Sequence, residues 1–219
     1  MGLPKIIKKI LPESWLYEMT LREQHRKMLN EMTLDEWQKA GCPAPPPSAV
    51  KWAAMKAYAE KYKATHFVET GTFMGDTSWV MKDVFEKIDT CELDVRLATR
   101  STERFKNAQN VKVWQGDSGV KIAEILWGIE PTTICLFWLD GHFSGGVTAK
   151  ADLNTPISAE IDHIFKHAKH HIILVDDARL FFSDEADYPT YSEFEKQIRL
   201  YNPTASIEVK DDIIRVVPN

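Results

Sequence analysis

The chain has 219 residues, of which 44% are hydrophobic and 27% charged, and a formal net charge of -5 at pH 7. This length and composition are typical of one globular domain with a modest extension, long enough to bury a full core. The acidic charge argues against nucleic acid as a partner, no apolar run approaches membrane-spanning length, and three scattered cysteines form no disulfide framework, which predicts a reducing, cytoplasmic location.

The first 45 residues are predicted to form a helical extension and a proline-rich linker, ahead of a domain over 46–219. Apolar residues at helical spacing predict an amphipathic helix over 14–30. Thr33-Leu34-Asp35-Glu36 has the pattern of a capping box and opens a short second helix. Pro43 and the run 45–47 then form a stiff linker. The extension could cover the site, form a homodimer contact or only pack on the domain.

After the linker, helix and strand patterns alternate, which is typical of an α/β fold with a parallel sheet. The predicted helices cover 48–61, 77–86, 95–106, 120–127, 157–166 and 192–200, with Ser48 capping the first. The predicted strands cover 66–70, 88–93, 111–115, 134–139, 171–175, 206–210 and 213–217. We therefore predict a doubly wound, mostly parallel seven-stranded sheet. Its last two strands form an antiparallel C-terminal hairpin around Asp211-Asp212, a tight-turn pair.

The junction between the first strand and the next helix is the most informative motif. It reads Phe67-Val68-Glu69-Thr70-Gly71-Thr72-Phe73-Met74-Gly75-Asp76, a strand, a glycine turn and a helix start. Open α/β sheets bind ligands at this end of their strands, and glycine lets the backbone approach a ligand closely. The spacing matches neither a G-x-G-x-x-G fingerprint nor a P-loop. An acid beside the turn suits a cationic ligand better than a pyrophosphate.

The pattern E-x-G-x-x-x-G resembles motif I of the class I S-adenosylmethionine (SAM) methyltransferases. Further motifs of the resemblance are L-D-G-H-F-S-G-G, T-P-I-x-x-E and V-D-D-A-R. The resemblance covers nearly all of 48–217, and its motifs are specific in combination. The resemblance implies a Rossmann-like fold and a SAM cofactor, whose ammonium and sulfonium groups fit the acidic turn. The residues that would seat SAM at this turn are Glu69, Thr70, Gly71, Thr72, Gly75, Asp76 and Thr77.

Acids also end the second and third predicted strands. Glu92 lies about 20 residues after the glycine turn, where an acid can accept both ribose hydroxyls. Asp94 is the alternative ribose acid, and either residue could instead cap the following helix. The family resemblance implies that the next turn, with Gly116, Asp117 and Ser118, holds the adenine ring. Asp117 or Ser118 could also cap the helix that follows, which is compatible with adenine binding.

The fourth and fifth strands end in Asp140 and in the pair Asp176 and Asp177. Three carboxylates at neighbouring strand ends repel one another, and a bound Mg²⁺ would remove that penalty. The arrangement resembles metal-dependent O-methyltransferases of the catechol and macrolide-sugar types, which implies a magnesium site on these three residues. Alternatively, Asp176 and Asp177 point to opposite sides, and one of them only caps a turn or pairs with Arg179.

The catalytic candidates are Asp140, at the mouth of the predicted SAM pocket, and His142. An imidazole titrates near neutral pH and is the obvious general base, although a histidine beside glycines is also common in structural roles. Catechol-type enzymes carry a lysine shortly after the first aspartate, and this chain has Phe143 and Ser144 there. The identity of the base is therefore open. The long loop 142–156 predicts a substrate lid or binding loop.

Several other side chains have two interpretations. Histidines 163, 167, 170 and 171 could bind a metal, but histidines near a helix C-terminus more simply complement its dipole. Aromatic residues near the site could stack on a sugar or pack internally: Phe143, Phe181, Phe182, Tyr188 and Tyr191. Tryptophans 114, 127 and 138 are predicted to lie in the core.

Three hypotheses for function remain. The first is SAM-dependent O-methylation of a sugar, glycan or other small hydroxylated acceptor, assisted by Mg²⁺. The second is a metal-free methyltransferase for a nitrogen or a macromolecule, although the D/N-P-P-Y/F motif of base methylation is absent. The third is an NAD(P)-dependent oxidoreductase or nucleotide-binding module, against which the missing G-x-G-x-x-G fingerprint argues.

Overall fold

The computed structural model describes residues 17–23, 32–141, 155–183 and 188–219. Residues 17–23 are helical. The remaining helices are α1 (Leu34–Lys39), α2 (Ser48–Tyr62), α3 (Asp76–Met81), α4 (Val95–Phe105), α5 (Ser118–Trp127), α6 (Ile157–His167), a 3₁₀ helix (Ala178–Phe182) and α7 (Tyr191–Tyr201). The strands are β1 (His66–Thr70), β2 (Lys87–Glu92), β3 (Val111–Gln115), β4 (Cys135–Leu139), β5 (Ile172–Val175), β6 (Ser206–Lys210) and β7 (Ile213–Val217).

The strands form one seven-stranded sheet in the order β3-β2-β1-β4-β5-β7-β6. Strands β1 to β5 pair in parallel, whereas β7 pairs antiparallel with both β5 and β6. The order reverses between β1 and β4, which is the position where open sheets of this kind form a ligand crevice. The predicted α/β sheet with an antiparallel C-terminal hairpin is confirmed.

Helices cover both faces of the sheet, which explains why β1, β4 and β5 are buried along their whole length. Phe137 and Leu139 of β4 belong to the apolar cluster under α5, α6 and α7. Leu136 and Trp138 point the other way, into the cluster under α2 and α3. This alternation fixes the face on which each residue after a strand end lies.

The hairpin between β6 and β7 confirms the predicted turn. Asp211 and Asp212 both have positive φ angles, 55° and 59°, and two such residues in a row form the turn that suits the twist of a hairpin. The capping box at the start of α1 is also confirmed, because the Thr33 hydroxyl accepts from the Glu36 backbone and the Glu36 carboxylate accepts from the Thr33 backbone.

Three details differ from the sequence-based expectations. The helix predicted over 77–86 ends at Met81. Helix α2 begins at Ser48 with Pro47 at the N-cap position and no side-chain cap. Trp127 is 93% exposed rather than buried, because it ends α5. Trp138 is buried as predicted, and Trp114 packs partly buried against the larger cluster.

Residues 17–23 of the N-terminal extension pack against α4. Leu21 is 1% exposed and forms a small cluster with Leu97, and the guanidinium carbon of Arg96 lies 3.5 Å from the Tyr17 ring centroid. The rest of the helix predicted over 14–30 lies outside the described residues, and the homodimer contact and the boundary at residue 45 stay predictions. No helix in the described ranges is long and apolar enough to cross a membrane.

Candidate active site

The glycine turn after β1 has the backbone geometry that the motif predicts. Gly71 and Gly75 have φ angles of +84° and +78°, which L side chains rarely adopt. A Cβ atom on Gly71 would lie 2.3 Å from the carbonyl oxygen of Asp140. Glycine is therefore required at Gly71 for two reasons, and the turn after β1 packs directly against the end of β4.

Glu69 supports this turn from beneath. Its side chain faces α3 and β2, where Oε2 accepts hydrogen bonds of 2.6 Å from the hydroxyls of Ser78 and Thr90. The residue is 2% exposed, and burial raises the pKa of Glu69 to about 8 despite these hydrogen bonds. A buried carboxyl with these internal hydrogen bonds serves to hold the turn. Direct contact between Glu69 and a cationic ligand stays a prediction.

The other predicted side chains of the turn have partners of their own. The Thr72 hydroxyl lies 2.5 Å from the Thr90 hydroxyl. The carboxylate of Asp76 accepts from Arg104 on α4 at 2.7 Å, and the Thr77 hydroxyl accepts from the Trp52 indole at 3.3 Å. Each contact joins the turn to a neighbouring helix or strand, so the structure gives these residues a role in shaping the site.

Glu92, at the end of β2, turns its carboxylate toward the same glycine turn. Oε2 accepts from the Phe73 backbone N–H at 2.7 Å, and Oε1 accepts from the Asp94 backbone N–H at 2.9 Å. Burial raises the pKa of Glu92, and these two hydrogen bonds oppose the shift. A carboxylate offers about four acceptor positions, so two bonded N–H groups leave capacity for ribose hydroxyls.

Asp94, the alternative ribose acid, caps α4. Its Oδ1 accepts from the backbone N–H groups of Arg96 and Leu97 at 2.8 and 3.1 Å. Asp117 caps α5 in the same way, by accepting from Gly119 N–H at 2.8 Å. The capping interpretation of both residues is confirmed, and it occupies Oδ1 of each carboxylate.

Two hydroxyl groups lie close to Gly141, beside the adenine-binding turn predicted from Gly116, Asp117 and Ser118. A Cβ atom on Gly141 would lie 3.0 Å from the Ser118 hydroxyl and 3.1 Å from the Thr70 hydroxyl. The ends of β1 and β4 and the start of α5 are therefore in close contact, and a side chain at Gly141 would displace one of these hydroxyls.

A lysine to which the sequence analysis gave no role lies beside the acidic ends of β4 and β5. Lys51 of α2 places its Nζ 2.5 Å from Oδ2 of Asp176, and the side chains are 20% and 2% exposed, respectively. Burial alone would lower the pKa of Lys51, but the Asp176 and Asp140 carboxylates raise it well above its usual range. Asp177 pairs with Arg179 at 2.7 Å, which is the alternative considered for it from the sequence.

A small cleft lies between the ends of β4 and β5 and the start of α6. Its polar lining consists of Thr155, Glu160, Asp176 and Tyr188. Glu160 is 1% exposed, and its Oε1 has no hydrogen-bond partner among the residues that the structure describes. Burial raises the pKa of Glu160 to about 7, while hydrogen bonds from Ser118 and Thr70 oppose the shift.

The histidines at the end of α6 and just before β5 form a chain of hydrogen bonds. The Cys135 backbone N–H donates to Nδ1 of His171 at 3.3 Å, His171 Nε2 lies 2.9 Å from His167 Nδ1, and His167 Nε2 lies 3.0 Å from the Ile129 carbonyl. Within the described ranges, no group of three or more His, Cys, Asp and Glu side chains could hold a metal.

No protein-family model matches the sequence, and no curated protein matches it. Solved structures do match. An O-methyltransferase from Bacillus cereus in complex with SAH covers 91% of this chain and 91% of its own, with a TM-score of 0.57 and 15% identity. The chain has the methyltransferase fold. A SAH-bound methyltransferase from Podospora anserina covers 100% of this chain and 98% of its own, with a TM-score of 0.55 and 14% identity.

A third structure with the methyltransferase fold is the SAM complex of TomG, an O-methyltransferase of tomaymycin synthesis from Streptomyces achromogenes. It covers 95% of this chain and 100% of its own, with a TM-score of 0.50 and 14% identity. The Rossmann-like sheet that the sequence resemblance implied is therefore confirmed. At these identities the comparison establishes the fold alone.

The methyltransferase fold places the predicted site residues from β1 to β5 along one edge of the sheet, because the carboxyl ends of parallel strands lie together. His142, Phe143 and the rest of the predicted lid up to residue 154 lie outside the described residues. Two residues were not assigned from the sequence. Glu160 stands in the T-P-I-x-x-E motif, which was a usable signal, whereas Lys51 is an ordinary lysine on a helix and gave none.

Proposed function

We propose that the protein is a SAM-dependent methyltransferase that transfers the methyl group to a hydroxyl oxygen of a sugar, a glycan or another small hydroxylated acceptor. The observation that carries the proposal is the pairing of the glycine turn with Glu92. The turn brings backbone against the end of β4 at Gly71, and the Glu92 carboxylate is held at its rim by two backbone N–H groups.

This arrangement suits a ligand with a charged end and a ribose. The methionine part would lie along the glycine turn, the ribose hydroxyls would donate to Glu92, and the adenine would lie beside Asp117 and Ser118. The SAH and SAM complexes among the structures with the same fold support SAM as the cofactor. Glu69 then acts through the turn, since its own carboxyl is buried.

The reaction is a displacement at the methyl carbon. The acceptor oxygen forms a bond to the methyl group, the carbon–sulfur bond breaks, and its electron pair stays on sulfur to give S-adenosylhomocysteine. The acceptor's proton passes to a base, for which Asp140 and His142 are the candidates. The main task of the protein is to hold the oxygen in line with the sulfonium, because orientation supplies much of the rate in such a step.

The side chains that line the cleft beside β5 are of the type that would bind a hydroxylated acceptor. Two buried carboxyl groups, Glu160 and Asp176, and the phenol of Tyr188 line it together with Thr155. Buried polar groups without partners are costly, and a hydroxylated acceptor would supply the hydrogen bond that Oε1 of Glu160 does not receive from the described residues. The ring of Phe181, packed edge-on against Tyr188, adds an apolar wall.

Calorimetric titration of S-adenosylhomocysteine into the purified protein tests the cofactor, with NADH as the control ligand. We expect saturable binding of S-adenosylhomocysteine at one site per chain and none of NADH. Methyl transfer from labelled SAM to a panel of sugars, phenols and amines then tests the acceptor class. Binding of NADH without S-adenosylhomocysteine by a folded sample would refute the proposal, and transfer only to amines would refute its acceptor class.

A further inference from the structure

The magnesium site predicted from Asp140, Asp176 and Asp177 contains a cation of the protein itself. The ammonium of Lys51 lies 2.5 Å from one carboxylate oxygen of Asp176. The other oxygen accepts the Asp177 backbone N–H at 2.9 Å. Each oxygen of the most buried of the three acids therefore already has a partner within the chain, and one of the two partners is a cation.

Asp177 is committed in the same way. Its Oδ1 accepts from Arg179 at 2.7 Å, and Arg179 also bonds the carboxylate of Asp212 on the hairpin turn. The backbone of Asp177 has a φ of 53°, which turns the chain sharply after β5. The two consecutive acids consequently serve two different cations, Lys51 on α2 and Arg179 on the 3₁₀ helix.

A divalent ion would have to displace these partners. Mg²⁺ would have to displace the Lys51 ammonium from a carboxylate that is 2% exposed, and the displaced ammonium would then lie beside a divalent cation that repels it. The ion would also compete with Arg179 for Asp177. The donor set of the described residues therefore does not fit Mg²⁺, which needs near-octahedral oxygen ligands and keeps several waters.

We infer that Lys51, fixed by Asp176, takes the place of the metal ion and that methyl transfer by this protein does not require a divalent cation. The inference rests on the proposed methyltransferase function. A lysine ammonium carries three N–H donors, and the bond to Asp176 uses one of them. The Lys51 side chain is 20% exposed, and a second N–H of its ammonium would position an acceptor oxygen.

This assignment bears on the acceptor. A metal ion binds two neighbouring oxygens of a substrate at once, as in a catechol, whereas an ammonium can position a single oxygen through one hydrogen bond. The acceptor therefore needs one hydroxyl at the reacting position and no adjacent chelating oxygen. Lys51 acts here as a positioning residue for that hydroxyl, and the proton still passes to a separate base.

Titration of Mn²⁺ followed by electron paramagnetic resonance, with S-adenosylhomocysteine present, tests the metal directly and without an acceptor. We expect no saturable Mn²⁺ site in the wild-type chain at concentrations up to the millimolar range, and the same affinity for S-adenosylhomocysteine with Mg²⁺ or with EDTA. One Mn²⁺ per chain, lost in Asp176→Asn, would overturn the inference. Since S-adenosylhomocysteine binding is measured in the same samples, failure of the proposed function is recognised separately.

Variants of Lys51 test its role. Lys51→Met should reduce methyl transfer at least tenfold at saturating SAM while changing the affinity for S-adenosylhomocysteine less than threefold, and Lys51→Arg should restore part of the rate. Lys56→Met is the matched control, because Lys56 lies on the same helix and is exposed. A folded Lys51→Met variant with the wild-type rate would overturn the positioning role. If Lys51→Met does not fold, the Mn²⁺ titration of the wild-type chain still tests the inference.

Discussion

Replacing Glu92 with glutamine tests whether its carboxylate is the ribose acceptor. The amide keeps the shape of the side chain but removes the charge and one acceptor oxygen. In the wild-type chain the two oxygens accept from Phe73 N–H at 2.7 Å and from Asp94 N–H at 2.9 Å. In Glu92→Gln, the amide NH₂ must face one of these donors, so one backbone hydrogen bond is lost.

Two magnitudes follow. A backbone donor left without its partner costs about 1–3 kcal/mol of folding free energy, which lowers the Tm by about 2–4 °C per kcal/mol for a chain of this size. A hydrogen bond from a ribose hydroxyl to a charged acceptor contributes about 1.5–3 kcal/mol. Its loss should weaken binding of S-adenosylhomocysteine roughly 10- to 150-fold, since each 1.4 kcal/mol is a factor of about ten.

Calorimetry well below the Tm measures the affinity, and thermal unfolding measures the stability. Asp94→Asn is the matched control, because asparagine caps a helix about as well as aspartate and the variant should bind S-adenosylhomocysteine within about threefold of the wild type. The reasoning is refuted if Glu92→Gln binds as tightly as the wild type. Equal losses in both variants would instead make Asp94 part of the ribose site.

Three further predictions concern the turn, the core and the surface. Gly71→Ala should lower the Tm and abolish tight binding of S-adenosylhomocysteine, because its Cβ would lie 2.3 Å from the Asp140 carbonyl oxygen; calorimetry that finds wild-type affinity would contradict the packing of the turn. Burial lowers the pKa of His171 to about 3, below its unfolded value of about 6.5. As the pH falls below about 6.5, the unfolded chain therefore takes up a proton at His171 before the folded chain does. Each pH unit of this fall lowers the free energy of unfolding by about 1.4 kcal/mol. The variant His171→Asn should therefore show a shallower acid loss in urea titrations at pH 7 and pH 5, and equal slopes would show that His171 does not drive the loss. Trp127→Ser should change the free energy of unfolding by less than about 0.5 kcal/mol, because Trp127 is 93% exposed, and a larger loss in the same titrations would mean that it has a partner.

The fold could be predicted because its signals are local. Apolar runs, glycine punctuation and the Asp211-Asp212 turn each depend on a few adjacent residues, and the strand register follows from them. Helix ends were less predictable. Trp127 illustrates the reason: an apolar residue in the last turn of a helix can lie on either side of it, and the neighbouring elements decide which.

The site residues at strand ends could be predicted from the sequence, whereas those supplied by helices could be predicted less well. The order of strands brings the ends of β1, β2 and β4 together, so Gly71, Glu92 and Asp140 could be expected to share one edge. Lys51 precedes β1 in the chain and meets Asp176 only because α2 packs across the sheet. No pattern in the sequence reports such a long-range ion pair, and the three acids alone suggested a metal.

The hydrogen bond between Glu92 and Phe73 has one more consequence. Phe73 has a φ of 49°, a conformation that costs a side-chain-bearing residue about 1–2 kcal/mol, and its amide is held in place by the carboxylate at 2.7 Å. Brief local opening of the turn would release that amide to solvent. A ligand that engages Glu92 makes such openings rarer, so the deuterium uptake of Phe73 becomes a gauge of site occupancy that needs no knowledge of the acceptor.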